Sequence, residues 1–274
     1  MMTFSKKQNV IIYKNGTGVS VDTALIIEEP LSIHIEGKPY VVMMRTPGDE
    51  INHVAGFCLA EGLVDSPDDI ATIGFCAEEG TNVATVTLTS ARKQKVADLL
   101  DRKGFVSQTS CGICGKEVIR DLHQITKPVK TAFRLSVAQA LACASRLSEF
   151  QPLHEKTRSA HGAVIFNKNQ EVLSAAEDVG RHNALDKAIG KIFMDKKITD
   201  ACLGVMSSRL SYELVQKAAR AGLEILIGIS RPTSLGVDLA RAVNMSLAWA
   251  RGDELMVFCG ENRFCMDQKE FDSP

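Results

Sequence analysis

Apolar and polar positions along the 274 residues change regime about halfway. In the first part, short apolar or β-branched runs predict strands at 24–29, 31–36 and 40–45, the last two joined by a tight Gly37-Lys38 turn. Thr46-Pro47 then reads as an N-cap and first-turn proline, with Asp49 and Glu50 behind it, opening a helix to about residue 63. A second strand pair is expected at 70–77 and 82–90, followed by a polar helix near 92–100. Residues 102–117 (RKGFVSQTSCGICGKE) carry no sustained period and read as a Gly/Ser-rich surface loop entering a short helix through residue 124. Lys127-Pro128 marks the expected linker between a 1–128 α+β unit and a 129–274 unit.

Beyond residue 135 strands and helices alternate. Helices are predicted at 136–147, 180–193, 211–221 and 235–244, and strands at 162–167, 171–176, 203–207, 223–229 and 255–259. Strands separated by helices of 10–15 residues predict an α/β fold with a largely parallel sheet covered on both faces.

Three strand-to-helix junctions repeat one chemistry. They read Glu177-Asp178-Val179-Gly180-Arg181-His182, Ser207-Ser208-Arg209-Leu210-Ser211 and Ser230-Arg231-Pro232-Thr233-Ser234. In a parallel sheet such junctions share one edge, where ligands bind. Free backbone N–H groups, helix dipoles and guanidinium groups there suit phosphate, which makes Arg181, Ser208, Arg209 and Arg231 candidate anchors. The alternative is ordinary Ser and Asp caps with solvated arginines. Asp178, His161 and His182 are open to either a catalytic or a capping role. Neither a GxxxxGK[ST] nor a GxGxxG loop is present, and the zinc-deaminase pattern is missing.

Charge narrows the partners. The 32 basic and 33 acidic side chains leave a net charge of −1, which argues against a general nucleic-acid or membrane-surface binder. The 45% hydrophobic and 24% charged content excludes a disordered chain. No apolar run approaches the ~18 residues of a membrane span, and the polar first residues are unlike a signal peptide. The expected address is the cytosol, where the eight cysteines should be thiols.

Cys58, Cys143 and Cys202 sit in apolar patterns and read as core. Cys111-Gly112-Ile113-Cys114-Gly115 is the reactive candidate: Arg102, Lys103 and Lys116 favour a thiolate, and the glycines let a partner approach. Disulfide exchange, half of a zinc site and persulfide carriage all use this spacing. Zinc needs about four ligands, so Cys259 and Cys265 would have to join the loop. No metal is expected.

The segments TSCGICGKE, EDVGRHNALDK, SSRLSYELVQKA and GLEILIGIS, in this order, resemble the formate dehydrogenase accessory sulfurtransferase family (FdhD), over about residues 28–263. The resemblance implies a cytosolic, homodimeric sulfur carrier with a cytidine-deaminase-like three-layer α/β/α domain. It implies that sulfur comes from a cysteine desulfurase. The acceptor it implies is the molybdenum bis(molybdopterin guanine dinucleotide) cofactor of formate dehydrogenase. It assigns the persulfide to Cys111 with Cys114 as partner, and cofactor binding to Phe258, Cys259, Gly260, Glu261, Asn262 and Arg263. Where family members commonly carry a basic residue, this chain has Gly260.

Overall fold

The computed structural model describes residues 4–78, 81–102, 127–130 and 132–266. Cys111 and Cys114 lie outside them. The chain opens with a hairpin of β1 (Ser5–Lys14) and β2 (Thr17–Ile26), turned at Asn15-Gly16 with both residues at positive φ. β3 (Glu29–Ile35), β4 (Lys38–Arg45), β5 (Ile70–Glu78) and β6 (Thr81–Leu88) build a four-stranded sheet in the order β4-β3-β6-β5. The helix Glu50–Ala60 lies between β4 and β5 in sequence, and Ser90–Lys95 and Ala97–Arg102 follow β6.

Thr46 does not cap the Glu50–Ala60 helix. Asp49 occupies the N-cap at φ 57° without a side-chain cap bond. Thr46 is instead held by the other half of the molecule. Its N–H donates to Asp178 Oδ2 at 3.0 Å, its Oγ1 accepts from Val179 N at 3.0 Å, and its carbonyl accepts from Lys187 Nζ at 2.8 Å.

β8 (His161–Asn167), β9 (Val172–Asp178), β10 (Ala201–Met206), β11 (Ile225–Gly228), β12 (Ser246–Arg251) and β13 (Glu254–Cys259) form a six-stranded sheet in the order β13-β12-β11-β10-β8-β9. It is mixed. β10, β11 and β12 are parallel, whereas β8, β9 and β13 join through antiparallel pairs. The short links from β8 to β9 and from β12 to β13 leave no room for a crossover helix, so those neighbours must reverse direction. β12 is an element that its Ala-containing SLAWAR run does not announce as a strand. A small parallel pair of β7 (Leu135–Ser136) and β14 (Phe264–Cys265) ties the C-terminal segment back to the start of this half.

Both faces of the large sheet are covered. Ala163, Ile165, Met206, Leu226 and Leu247 face the helices Arg181–Met194, Tyr212–Arg220 and Ser234–Ala242. The alternate residues Val164, Phe166, Leu203, Val205, Ile225 and Ile227 pack with Ala140, Cys143 and Ala144 of the helix Val137–Ser145. The period-two alternation of strands produces this division. The first cluster continues through Val54, Ala55 and Phe57 into Leu31, Ile33 and Val86 of the four-stranded sheet, so the two sheets share one core.

The helices Glu50–Ala60 and Arg181–Met194 meet backbone to backbone at Gly56 and Gly190. A Cβ at Gly56 would collide with the Asp186 carbonyl, and one at Gly190 with the Asn52 carbonyl. Only glycine at both positions permits this approach.

Candidate functional site at the strand ends

Since β9 is antiparallel to β8, and β8 to β10, the β9 end points the same way as those of β10 and β11. The three junctions with arginines therefore do share one edge, although the sheet is not parallel throughout.

At this edge Asp178 closes β9 and is fully buried. It accepts from Thr46 N, Gly180 N and Asn183 Nδ2, and pairs with Lys187 Nζ at 2.7 Å. Its acceptor capacity goes into holding the junction together, so Asp178 is structural. His161 begins β8 opposite Asp178, its Nδ1 3.3 Å from Ser207 Oγ. Ser207 Oγ also accepts from Gly162 N at 2.9 Å. Burial pushes the His161 pKa down, and the neighbouring Arg181, His154 and His182 charges add to this against Asp178. A neutral His161 is the form that burial favours.

Arg181 and His182 open the Arg181–Met194 helix. His182 Nε2 lies 2.8 Å from Glu213 Oε2 in the first turn of the Tyr212–Arg220 helix. That contact holds the Glu213 carboxyl below its ordinary pKa, against the opposing effect of burial. Arg181 Nε and Ser211 Oγ are buried without a hydrogen-bond partner, and Ser211 is an N-cap whose side chain makes no cap bond. Unpaired buried polar atoms are costly, and these two belong to the first residues of neighbouring helices at the same edge. Ser208, also buried, turns its hydroxyl to the Arg209 carbonyl at 3.1 Å, whereas Arg209 itself is exposed. Arg231 lies over the Trp249 ring at 5.3 Å, and Trp249 Nε1 donates to the Ile229 carbonyl.

The ten expected cofactor contacts are not gathered in one place. Arg181, Ser208, Arg209 and Arg231 lie at the strand-end edge. β13 runs antiparallel to β12, so Phe258 to Arg263 emerge at the opposite edge, where Cys259 pairs with Leu247 near the start of β12. There Arg263 is fully buried. It donates to Ser246 Oγ and to the carbonyls of Lys130 and Asn244, and lies 3.6 Å from Glu224. This arginine is an internal clamp. Gly260 adopts φ 71°, and a Cβ there would overlap Ser246 Oγ. Glu261 and Asn262 are exposed.

Burial pushes the Cys143 and Cys202 thiols up to about 11 and raises those of Cys58 and Cys259 as well. Such thiols are poor nucleophiles. No group of three or more His, Cys, Asp or Glu side chains among the described residues could hold a metal ion.

The FdhD/NarQ family profile matches residues 26–265. The chain belongs to that family. Among FdhD/NarQ relatives, the sulfur carrier protein FdhD of Streptomyces avermitilis is 32% identical over 271 residues, covering 96% of each chain. The sulfur carrier protein FdhD of Mycobacterium bovis is 36% identical over 252 residues, covering 87% of this chain and 91% of the relative. The fold matches a crystal structure of a protein from Desulfotalea psychrophila with a TM-score of 0.77, at 23% identity and over 96% of this chain and all of the other. None of the FdhD/NarQ helices among the described residues is long and apolar enough to cross a membrane.

Proposed function

We propose that this protein is a cytosolic, homodimeric sulfurtransferase. It takes sulfur from a cysteine desulfurase onto Cys111 and passes it to the bis(molybdopterin guanine dinucleotide) molybdenum substrate destined for formate dehydrogenase. The observation that carries this reading is the shared strand-end edge. Three helix starts, with Arg181, Arg209 and Arg231, meet there beside the unpaired Arg181 Nε and Ser211 Oγ. Such an edge suits diphosphate groups. Relatives named as sulfur carriers supply the kind of cargo.

In the first step the Cys111 thiolate attacks the outer sulfur of the donor's persulfide. An S–S bond forms at Cys111, the donor's S–S bond breaks, and the donor cysteine leaves as thiolate. In the second, the Cys114 thiolate attacks the Cys111 sulfur and the outer sulfur departs as hydrosulfide to the substrate. The two electrons come from the Cys111–Cys114 pair, which becomes a disulfide that a thiol reductant resets. Arg181, Arg209 and Arg231 anchor the substrate's diphosphates, so that remote binding orients the reacting centre.

After incubation with a desulfurase and cysteine, wild-type protein should gain one cyanide-labile sulfur that Cys111→Ala lacks. A reversible disulfide with no added sulfur would instead make the protein a thiol-disulfide oxidoreductase. Guanosine diphosphate serves as a probe of the edge. Arg209→Ala and Arg231→Ala should each weaken its binding about tenfold, as loss of one charge-assisted contact of ~1.5 kcal/mol implies. Unchanged calorimetric affinity would remove the strand-end anchor from the mechanism.

A further inference from the structure

His161 is the first residue of β8, and β8 lies between β9 and β10 in the six-stranded sheet. Because β8 runs antiparallel to both neighbours, its first residue sits at the edge where they end. His161 therefore stands between the junction that carries Arg181 and the one that carries Arg209. It pairs with Asp178 in the β8–β9 register, and its Nδ1 lies 3.3 Å from the Ser207 Oγ that opens the second junction. Ser207 in turn brackets Gly162, whose N–H donates to Oγ at 2.9 Å and whose carbonyl accepts from Ser207 N at 3.0 Å. His161 Nε2 has no partner among the described residues and is not one of their enclosed unpaired atoms. A half-buried imidazole is thus fixed through one nitrogen and accessible at the other.

The charges around this ring are positive or already paired. Arg181 and His182 face it from the Arg181–Met194 helix, and His154 faces it from the helix Pro152–Thr157. The acid facing it from β9, Asp178, is taken up by Lys187 and by the N–H groups of Thr46, Gly180 and Asn183. Glu177 accepts from the Leu153 and His154 N–H groups, Glu213 answers His182, and Asp186 answers Lys217. Burial and the nearby cations keep the ring neutral while the edge is empty. A neutral imidazole carries one N–H, an imidazolium two. We propose that His161 is a proton-linked anchor of this edge: when a diphosphate binds between the first two junctions, the ring takes up a proton from solvent and donates from Nε2 to a phosphate oxygen, with Nδ1 held on Ser207. A permanent cation in this place would repel Arg181 in the empty protein, whereas an imidazole becomes charged only when the ligand's own charge is there to answer it. The role rests on the diphosphate reading of this edge given above.

The test uses the full chain and diguanosine diphosphate, whose diphosphate bridges two riboses and so has no terminal phosphate to titrate near neutral pH. Calorimetry at pH 7 in two buffers of different ionisation enthalpy should show uptake of about half a proton per bound dinucleotide. Wild-type affinity should fall about tenfold from pH 6 to pH 8, since low pH favours the charged ring and one charge-assisted hydrogen bond has about that effect. His161→Gln keeps a neutral donor but cannot titrate. Its affinity should be flat across this range and its proton uptake lost, at the wild-type Tm. Wild-type binding that is flat with pH and takes up no proton overturns the proposal. So does uptake that persists in His161→Gln and is lost in His182→Gln, which would move the proton to the neighbouring ring. Should His161→Gln not fold, the wild type decides: the Cε1 resonance of His161 must move to the imidazolium position when the dinucleotide is added at pH 7, and a ring that stays neutral overturns the proposal. If diguanosine diphosphate does not bind the wild type at all, the strand-end reading falls as well; binding without proton uptake leaves that reading standing and removes only the role of His161.

Discussion

Lys187 sits 3% exposed against the fully buried Asp178, with Thr46 between them in the hydrogen-bond chain. Removing one charge of a buried pair leaves the other uncompensated, so Lys187→Met should cost about 3–5 kcal/mol in urea unfolding. Nearby, His53 is fully buried. Burial holds its pKa well below the ordinary value, and the Lys187, Lys217 and Arg45 charges push the same way. The folded pKa is thus depressed. The unfolded chain takes up a proton near pH 6.5 that the folded chain refuses, so stability present above that pH is lost as pH falls below it. His53→Asn should flatten the decline between pH 7 and pH 5, measured by urea unfolding at each pH. The half-buried His161 contributes in the same direction. Single-residue chemistry was partly legible in the chain. Cys58 and Cys143 declared themselves as core by their apolar neighbours. Arg263 gave no such sign, because its carbonyl partners Lys130 and Asn244 lie far away in sequence.

At the scale of elements, the crossing of Glu50–Ala60 with Arg181–Met194 depends on two missing Cβ atoms. Gly190→Ala should destabilise by at least ~1–3 kcal/mol in urea unfolding, since the carbonyl it meets belongs to a helix and cannot rotate away. The helices 181–194, 212–220 and 234–242 stood out in the sequence to within a residue or two, as long amphipathic segments with polar starts do. The β1–β2 hairpin did not. Lysines and polar residues dilute its alternation, although Asn15-Gly16 is the turn signal that would have found it. Thr46-Pro47 looked like a helix start because Thr is a good cap. Its real partners, Asp178 and Val179, are some 130 residues away and invisible to local pattern.

Across the whole molecule, alternating helices and strands announced an α/β fold and the edge at which three junctions would meet. The reversal at β8–β9 was legible, since strands expected at 162–167 and 171–176 leave a link of three residues, whereas the direction of β13 was not, because its neighbour β12 was not expected. Direction also separates the expected cofactor residues onto two edges. Arg263→Ala should therefore lower stability by about 2–4 kcal/mol, since the Lys130 and Asn244 carbonyls lose their donor and Glu224 loses its counter-charge, while leaving guanosine diphosphate affinity at the far edge within error. Combined with Arg209→Ala, the two effects should simply add, as distant sites do.

The paired glycines carry a further consequence. Two helices pressed main chain to main chain cannot slide or roll past each other without losing that fit, so the sheets on either side behave as one stiff chassis. Motion at this seam would have to carry both sheets together rather than open a hinge between them.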